Sequence, residues 1–182
     1  MREIETNRFI LRKVKFEDSV KIYNILSNER VIDNLNMDIH TCLEDTHNLL
    51  DEYSKGFENE TKFPYAIIDK NTSDFIGVFL IKLDLFDKDC FEFTIYLDEQ
   101  YWGKGVYTEV LPYMTQFAFN DIGTGNFRGF VMEKNKASSR VLEKCGFTLE
   151  KIFEVPGLEG KILSYLMKND VEINNTDFNA KD

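Results

Sequence analysis

The sequence lacks the features that define several large classes of protein. Cysteine occurs only at Cys42, Cys90 and Cys145, and no C-x-x-C pair exists, so neither a zinc site nor a disulfide framework is indicated. Each cysteine is most simply interpreted as a small buried hydrophobic residue. No apolar stretch approaches the roughly 18 residues of a membrane-spanning helix, and the N-terminus has no signal core. We therefore expect a cytoplasmic protein with no metal and no membrane partner.

Positive charge is also scarce. The chain has 22 basic and 32 acidic residues and a net charge of −10. An acidic protein repels the phosphate backbone, so nucleic acid is not expected as a partner.

What the sequence does contain is enough apolar material for one core. Its 182 residues include 16 Phe and 8 Tyr, and they show neither an internal repeat nor a dividing linker. We predict one domain over residues 1–168, followed by a polar, flexible tail over 169–182.

Hydrophobic patterning predicts a mixed α/β fold. Three strands with short turns between them run from Phe63 to Leu97, which indicates an antiparallel meander. Further strands and helices alternate after the meander. Pro112 falls inside the helix that begins near Gly103, so we expect a kink or an interruption there.

The most informative segment runs from Phe93 to Val106, where a strand enters a glycine-containing turn that opens a helix. Such a turn exposes free backbone N–H groups at the positive end of the helix dipole, which favours an anion. Gly103 and Gly105 would let the backbone approach that anion closely.

Two common phosphate-binding motifs are excluded here. A P-loop needs a glycine where Asp98 stands and Ser or Thr where Gly105 stands. A dinucleotide-binding fingerprint needs a third glycine where Thr108 stands.

The pattern Gln100-x-x-Gly103-x-Gly105 instead resembles the pyrophosphate loop of the GNAT superfamily of N-acetyltransferases. The segment 135–147, which opens with Asn135 and closes with Gly-Phe, looks like that family's second cofactor segment. The opening segment 6–12 is similar to the first strand of the branch that contains ribosomal-protein N-acetyltransferases.

This resemblance implies a GNAT-like fold with a central, mostly antiparallel sheet of six to seven strands and about four flanking helices. It also implies acetyl-CoA as cosubstrate. The residues it assigns to the cofactor are Ile95, Leu97, Gln100, Gly103, Lys104, Gly105, Val106 and Asn135. In the family two neighbouring strands splay apart, and the pantetheine arm pairs with the freed backbone, here that of Ile95 and Leu97.

The resemblance also assigns two catalytic candidates. Many members protonate the departing thiolate with a Tyr seven residues after the Asn, but Leu142 occupies that position. Ser138 is then the implied proton donor, and the alternative is a serine that caps the helix. Glu92 is the implied general base, and the alternative is a solvent-facing charge on a strand.

We therefore predict an N-acetyltransferase that acts on a primary amine, either a small cationic molecule or a protein N-terminus. Residues 29–60 hold nine acids against two bases, which favours a cationic acceptor near this segment, unless these acids only form the wet face of a helix. A catalytically inactive, acyl-CoA-binding regulatory module is the alternative function. Dimers are common among relatives, so a homodimer stays open.

Overall fold

The protein has one eight-stranded sheet with helices on both faces, as seen in a computed structural model that describes residues 2–35, 37–84, 87–155 and 160–169. The strands are β1 Ile4–Glu5, β2 Phe9–Lys13, β3 Lys62–Asp69, β4 Phe75–Leu83, β5 Cys90–Leu97, β6 Asn126–Met132, β7 Thr148–Glu154 and β8 Lys161–Lys168. The α-helices found in these ranges are α1 Ser19–Leu26, α2 Glu29–Ile32, α3 Leu43–Glu58, α4 Val106–Phe117 and α5 Lys136–Lys144. Residues 170–182 of the predicted tail lie outside the described residues.

The strand order is β1-β2-β3-β4-β5-β6-β8-β7, and every neighbouring pair is antiparallel except β5 with β6. The predicted fold class, a mostly antiparallel sheet in a mixed α/β layer structure, is confirmed. The structure has one strand and one helix more than predicted, namely β1 with two residues and α2 with four. Elements this short span too few residues to show a hydrophobic period.

The sheet separates two apolar layers because successive side chains of a strand point to opposite faces. On the α4/α5 face, Phe93 and Phe127 pack with Val110 in the larger cluster of buried residues. On the α1/α3 face, Tyr53 and Tyr96 pack in the smaller cluster, with their hydroxyl oxygens 3.2 Å apart. Burial raises the pKa of both tyrosines. None of the helices in the described ranges is long and apolar enough to cross a membrane.

Helix α4 continues through Pro112, so the predicted interruption is wrong. Proline has no amide to donate to the carbonyl of Thr108, four residues earlier. Both residues are exposed, so water can satisfy that carbonyl. The helix ends in a π-helical turn over Ala118–Ile122.

Helix α3 begins at Leu43 and has Cys42 as its N-cap. The Asp45 carboxylate accepts hydrogen bonds from the Cys42 amide, at 3.1 Å, and from the Thr41 amide, at 2.8 Å. Hydrogen bonds from the Thr41 and Cys42 amides lower the pKa of Asp45. The interpretation as a buried hydrophobic residue is right for Cys90 and wrong for Cys42, which is exposed.

Candidate active site

A gap opens between β5 and β6 towards their carboxyl ends. The two strands pair only from Cys90–Asn126 to Phe93–Gly129. Beyond these pairs β5 continues to Leu97 against β4, and β6 continues against β8. Among the described strands, the second half of β5 therefore has a neighbour on one side only. This is the divergence that the family resemblance implies.

The backbone of β5 presents Ile95 and Leu97 to this gap. Asp98 N–H donates to the Ile76 carbonyl of β4 at 2.9 Å. Since hydrogen-bonding directions alternate along a strand, the N–H and C=O groups of Ile95 and Leu97 point away from β4. The Leu97 carbonyl accepts from Trp102 Nε1 at 3.2 Å, whereas the other three groups lie beyond the last β5–β6 pair and have no loop partner among the described residues. The gap edge of β5 can thus pair with an extended ligand.

Gly77 brings β4 unusually close to β5 beside the gap. The β3–β4 register shifts between Ile67 and Ile68, opposite this glycine. A Cβ on Gly77 would lie 2.2 Å from the Tyr96 carbonyl oxygen, so only glycine fits. The close approach fixes the backbone of β5 from the side that faces away from the gap.

The loop after β5 leads into helix α4 through two left-handed glycines. Gly103 has φ +69° and Gly105 has φ +75°, conformations that residues with a Cβ rarely adopt. No described residue lies within 4 Å of a Cβ built on Gly103, so the loop is open to that part of the structure. Gly105 is the N-cap of α4 and supplies no side-chain cap.

The open loop leaves a run of amides without acceptors. The first helical bond of α4 is from Glu109 N–H to the Gly105 carbonyl, at 3.1 Å. Within the described part of the chain, none of the amides of residues 103–108 has a hydrogen-bond acceptor. These amides lie at the positive end of the α4 dipole, which is the arrangement that binds phosphate.

Two side chains of the loop that belong to the predicted site, those of Lys104 and Gln100, are exposed. Lys104 places its ammonium 5.1 Å from the centre of the Tyr101 ring. Gln100 donates from Nε2 to Asp98 at 3.1 Å, so its side chain stabilises the turn. Val106, by contrast, is buried and anchors the first turn of α4 in the core.

The second predicted segment forms the N-terminus of helix α5. Asn135 is its N-cap, and its side-chain oxygen accepts from the Ser138 amide at 3.1 Å. The Asn135 amide group and the half-buried Ser138 hydroxyl have no partner among the described residues. Leu142 is fully buried in the core. Because β5 and β6 are parallel, the helices that follow them begin at the same edge of the sheet, beside the gap.

Glu92 lies apart from these segments. It occupies the paired half of β5, where Arg128 of β6 is its register partner. Its side chain contacts Lys82 Nζ at 2.6 Å and is 15% exposed. By strand alternation it shares the α1/α3 face with Tyr96, whereas Ser138 belongs to a helix on the other face. The two catalytic candidates therefore flank the sheet from opposite sides.

Sequence reasoning missed two charged groups around the site. Arg128 forms ion pairs with Asp84 and with Glu150, the latter at 3.3 Å, beside Glu92. These pairs join three different strands or their ends, so no local spacing could reveal them. Arg8 binds the loop that precedes α4, and its membership of the segment 6–12 is the only signal of this role in the sequence.

Comparisons with known proteins agree with this geometry. The family model for the acetyltransferase (GNAT) domain matches residues 8–148. The chain is similar to the uncharacterized N-acetyltransferase YoaA of Bacillus subtilis (strain 168), with 22% identity over 149 residues, which cover 82% of this chain and 84% of that protein.

Solved structures share the fold. One is the ribosomal-protein-S5-alanine acetyltransferase from Vibrio fischeri, with a TM-score of 0.81 at 19% identity, covering 94% of this chain and 98% of that one. Another is the spermidine N-acetyltransferase from Vibrio cholerae, solved with CoA and spermine, with a TM-score of 0.76 at 17% identity, covering 88% and 95%. The family match spans the gap, the loop and both helix N-termini described above. The chain therefore belongs to the GNAT acetyltransferase family and is an N-acetyltransferase with acetyl-CoA as its acetyl donor.

Proposed function

We propose that this acetyltransferase acts on the primary amine of a cationic acceptor, a small molecule or a protein N-terminus, and that the gap between β5 and β6 is its reaction site. The observation that carries this proposal is the gap-facing backbone edge of Ile95 and Leu97, on which only the Leu97 carbonyl has a described partner and which ends beside the open N-terminus of α4. An extended arm with amide groups can pair with that edge while its phosphates reach the loop amides.

In this proposal the cofactor is held mainly by backbone. The amides of residues 103–108 bind the pyrophosphate, and the glycines keep side chains out of its way. Ile95 and Leu97 pair with the pantetheine arm as a neighbouring strand would. Asn135 donates to the arm from the amide group that its capping bond leaves free.

The chemistry needs proton transfers at two places. The neutral amine nitrogen attacks the thioester carbonyl, a C–N bond forms, the C–S bond breaks, and the amine loses one proton. Ser138 gives a proton to the departing thiolate from the α4/α5 side and takes one back from water. The proton of the amine leaves on the α1/α3 side, through water to Glu92.

The surroundings of Glu92 do not favour direct proton transfer from the amine to its carboxylate. One of its oxygens contacts Lys82, and its side chain is largely buried in the paired half of the strand. A water relay therefore fits better than direct contact with the amine. Ordered water alone is the alternative base.

The acid-rich segment 29–60 supports a cationic acceptor only in part. Asp45 is committed to capping α3, and Glu52 is paired with Lys62. Most other acids on α3 are exposed on its outer surface, as the wet face of an amphipathic helix would be. Asp33 and Asp38, near α2, are exposed and remain available to a cation. Two structural neighbours are named a spermidine N-acetyltransferase and a ribosomal-protein-S5-alanine acetyltransferase, and these names favour the same class of acceptor.

An acceptor screen with detection of free CoA thiol tests this function. We expect thiol release with polyamines or N-terminal peptides, and we expect KM for a polyamine to rise between 0.01 M and 0.1 M salt as the Debye length shrinks from about 30 Å to about 10 Å. CoA binding without thiol release from any amine would favour the inactive regulatory module. A best acceptor that is neutral or anionic, or a KM independent of salt, would remove the cationic site. The cytoplasmic location and the homodimer stay predictions.

A further inference from the structure

Arg8 connects the first long strand to the loop that precedes α4. It lies just before β2, yet its guanidinium reaches a segment 96 residues further along the chain. Its Nη1 donates to the Lys104 carbonyl at 3.0 Å, and its Nε donates to Glu109 Oε2 at 2.6 Å. One side chain thus binds both the loop and the first turn of the helix.

Glu109 completes this contact. Its Oε1 accepts from Thr6 Oγ1 at 2.6 Å and from the Arg8 amide at 2.7 Å. Burial alone would raise the pKa of Glu109, but hydrogen bonds from Thr6 and Arg8 outweigh it and lower the pKa. The carboxylate therefore stays ionised and holds the Arg8 fork in a single orientation.

The remaining guanidinium nitrogen faces the anion site. Arg8 Nη2 lies 3.5 Å from the position that a Cβ on Gly105 would occupy. It has no partner among the described residues, and the Arg8 side chain is 45% exposed. A half-exposed cation with a free N–H group therefore lies beside the unpaired amides of the loop.

We propose that Arg8 is a cofactor-binding residue whose Nη2 donates to a phosphate of acetyl-CoA, while Nη1 and Nε hold the loop that supplies the backbone donors. This inference rests on the proposed cofactor site. A phosphate accepts a charge-assisted bond from guanidinium at the same time as it accepts bonds from backbone N–H groups. The first long strand then contributes directly to cofactor affinity.

The test compares Arg8→Gln, Arg8→Lys and Arg2→Gln, with acetyl-CoA affinity measured by calorimetry at several salt concentrations. Arg2 is the matched control, because its ion pair with Asp121 also ties the N-terminal segment to the helical segment that starts with α4, but at the far end from the loop. We expect about tenfold weaker binding for Arg8→Gln, with a shallower salt dependence, since a charge-assisted bond is lost. Arg8→Lys should recover part of the affinity and the salt dependence, and Arg2→Gln should bind like wild type.

The outcomes separate this inference from the proposed cofactor site. If wild type does not bind acetyl-CoA, both fail. If wild type binds and folded Arg8→Gln binds within twofold of it, only the role of Arg8 fails. If Arg8→Gln and Arg2→Gln lose the same acetyl-CoA affinity, Arg8 contributes to stability alone. The same conclusion follows if the salt dependence of binding is unchanged in Arg8→Gln. Thermal unfolding of every variant is measured beside the titrations.

Discussion

Helices α4 and α5 begin at the same edge of the sheet but have different N-termini. Gly105 opens α4 with a left-handed conformation and no side-chain cap, which leaves the following amides free. Asn135 opens α5 and its side-chain oxygen accepts a hydrogen bond from the Ser138 amide. Free amides suit an external anion, whereas a capped terminus holds its own first turn in place. We infer that α4 binds the cofactor and that α5 positions the group that reacts with it.

The comparison is tested most strongly at Ser138. If α5 supplies the proton for the thiolate, Ser138→Ala should lower kcat about 100-fold, the lower end for general acid catalysis, and leave acetyl-CoA affinity unchanged. Steady-state kinetics with thiol detection and calorimetry measure the two effects separately. The neighbouring Ser139→Ala is the control, because that hydroxyl is buried within α5. If kcat of Ser138→Ala is within twofold of wild type, Ser138 is not the proton donor and is only part of the capped first turn of α5.

At Gly105 we expect the opposite pattern, a loss of acetyl-CoA affinity without a loss of kcat. Gly105→Asp places a carboxylate beside the phosphate site in a left-handed conformation that Asp tolerates better than most residues. Like charges in contact cost several kcal/mol, so we expect acetyl-CoA affinity to fall about 50-fold, with kcat at saturation little changed. Gly105→Asn, of the same shape but neutral, is the control and should lose much less. Equal affinities for the Asp and Asn variants would mean that no phosphate lies there.

The smallest effect is expected at Asn135, where capping and ligand binding can be separated. Asn135→Asp keeps a good N-cap but removes the amide donor, so stability should hold while KM for acetyl-CoA rises about fivefold. Asn135→Ala should add a stability loss of about 1 kcal/mol. Denaturant unfolding and steady-state kinetics report the two effects. If Asn135→Asp leaves the KM for acetyl-CoA unchanged, Asn135 caps helix α5 and does not donate to the cofactor.

The sequence predicted the parts of this site that lie close together along the chain. The strand, glycine turn and helix from Phe93 onwards were recognisable because glycines at fixed offsets carry a backbone requirement. The three-strand meander was predicted because its turns are short and its apolar residues are patterned. The acid-rich segment was predicted as a region, but which acids are free to meet a cation depends on caps and ion pairs such as Asp45 and Glu52–Lys62.

Other features depend on residues that are distant in sequence. The Arg128 pairs and the Arg8–Glu109 contact join elements that are far apart in the chain, whereas the pair of Glu92 with Lys82 depends on the register of the neighbouring strands β4 and β5. Short elements such as β1 and α2 also escaped prediction, because two or four residues cannot display a period.

The sequence by itself determined the fold class, the anion-binding turn and the family resemblance, since each depends on local spacing and backbone freedom. Only the tertiary structure decided where β5 and β6 separate, which backbone groups face the gap, and on which side of the sheet Ser138 and Glu92 lie. Strand register and the divergence of neighbouring strands arise from packing of the whole sheet against its two helical layers. That packing joins residues far apart in the chain, so no window of the sequence contains it.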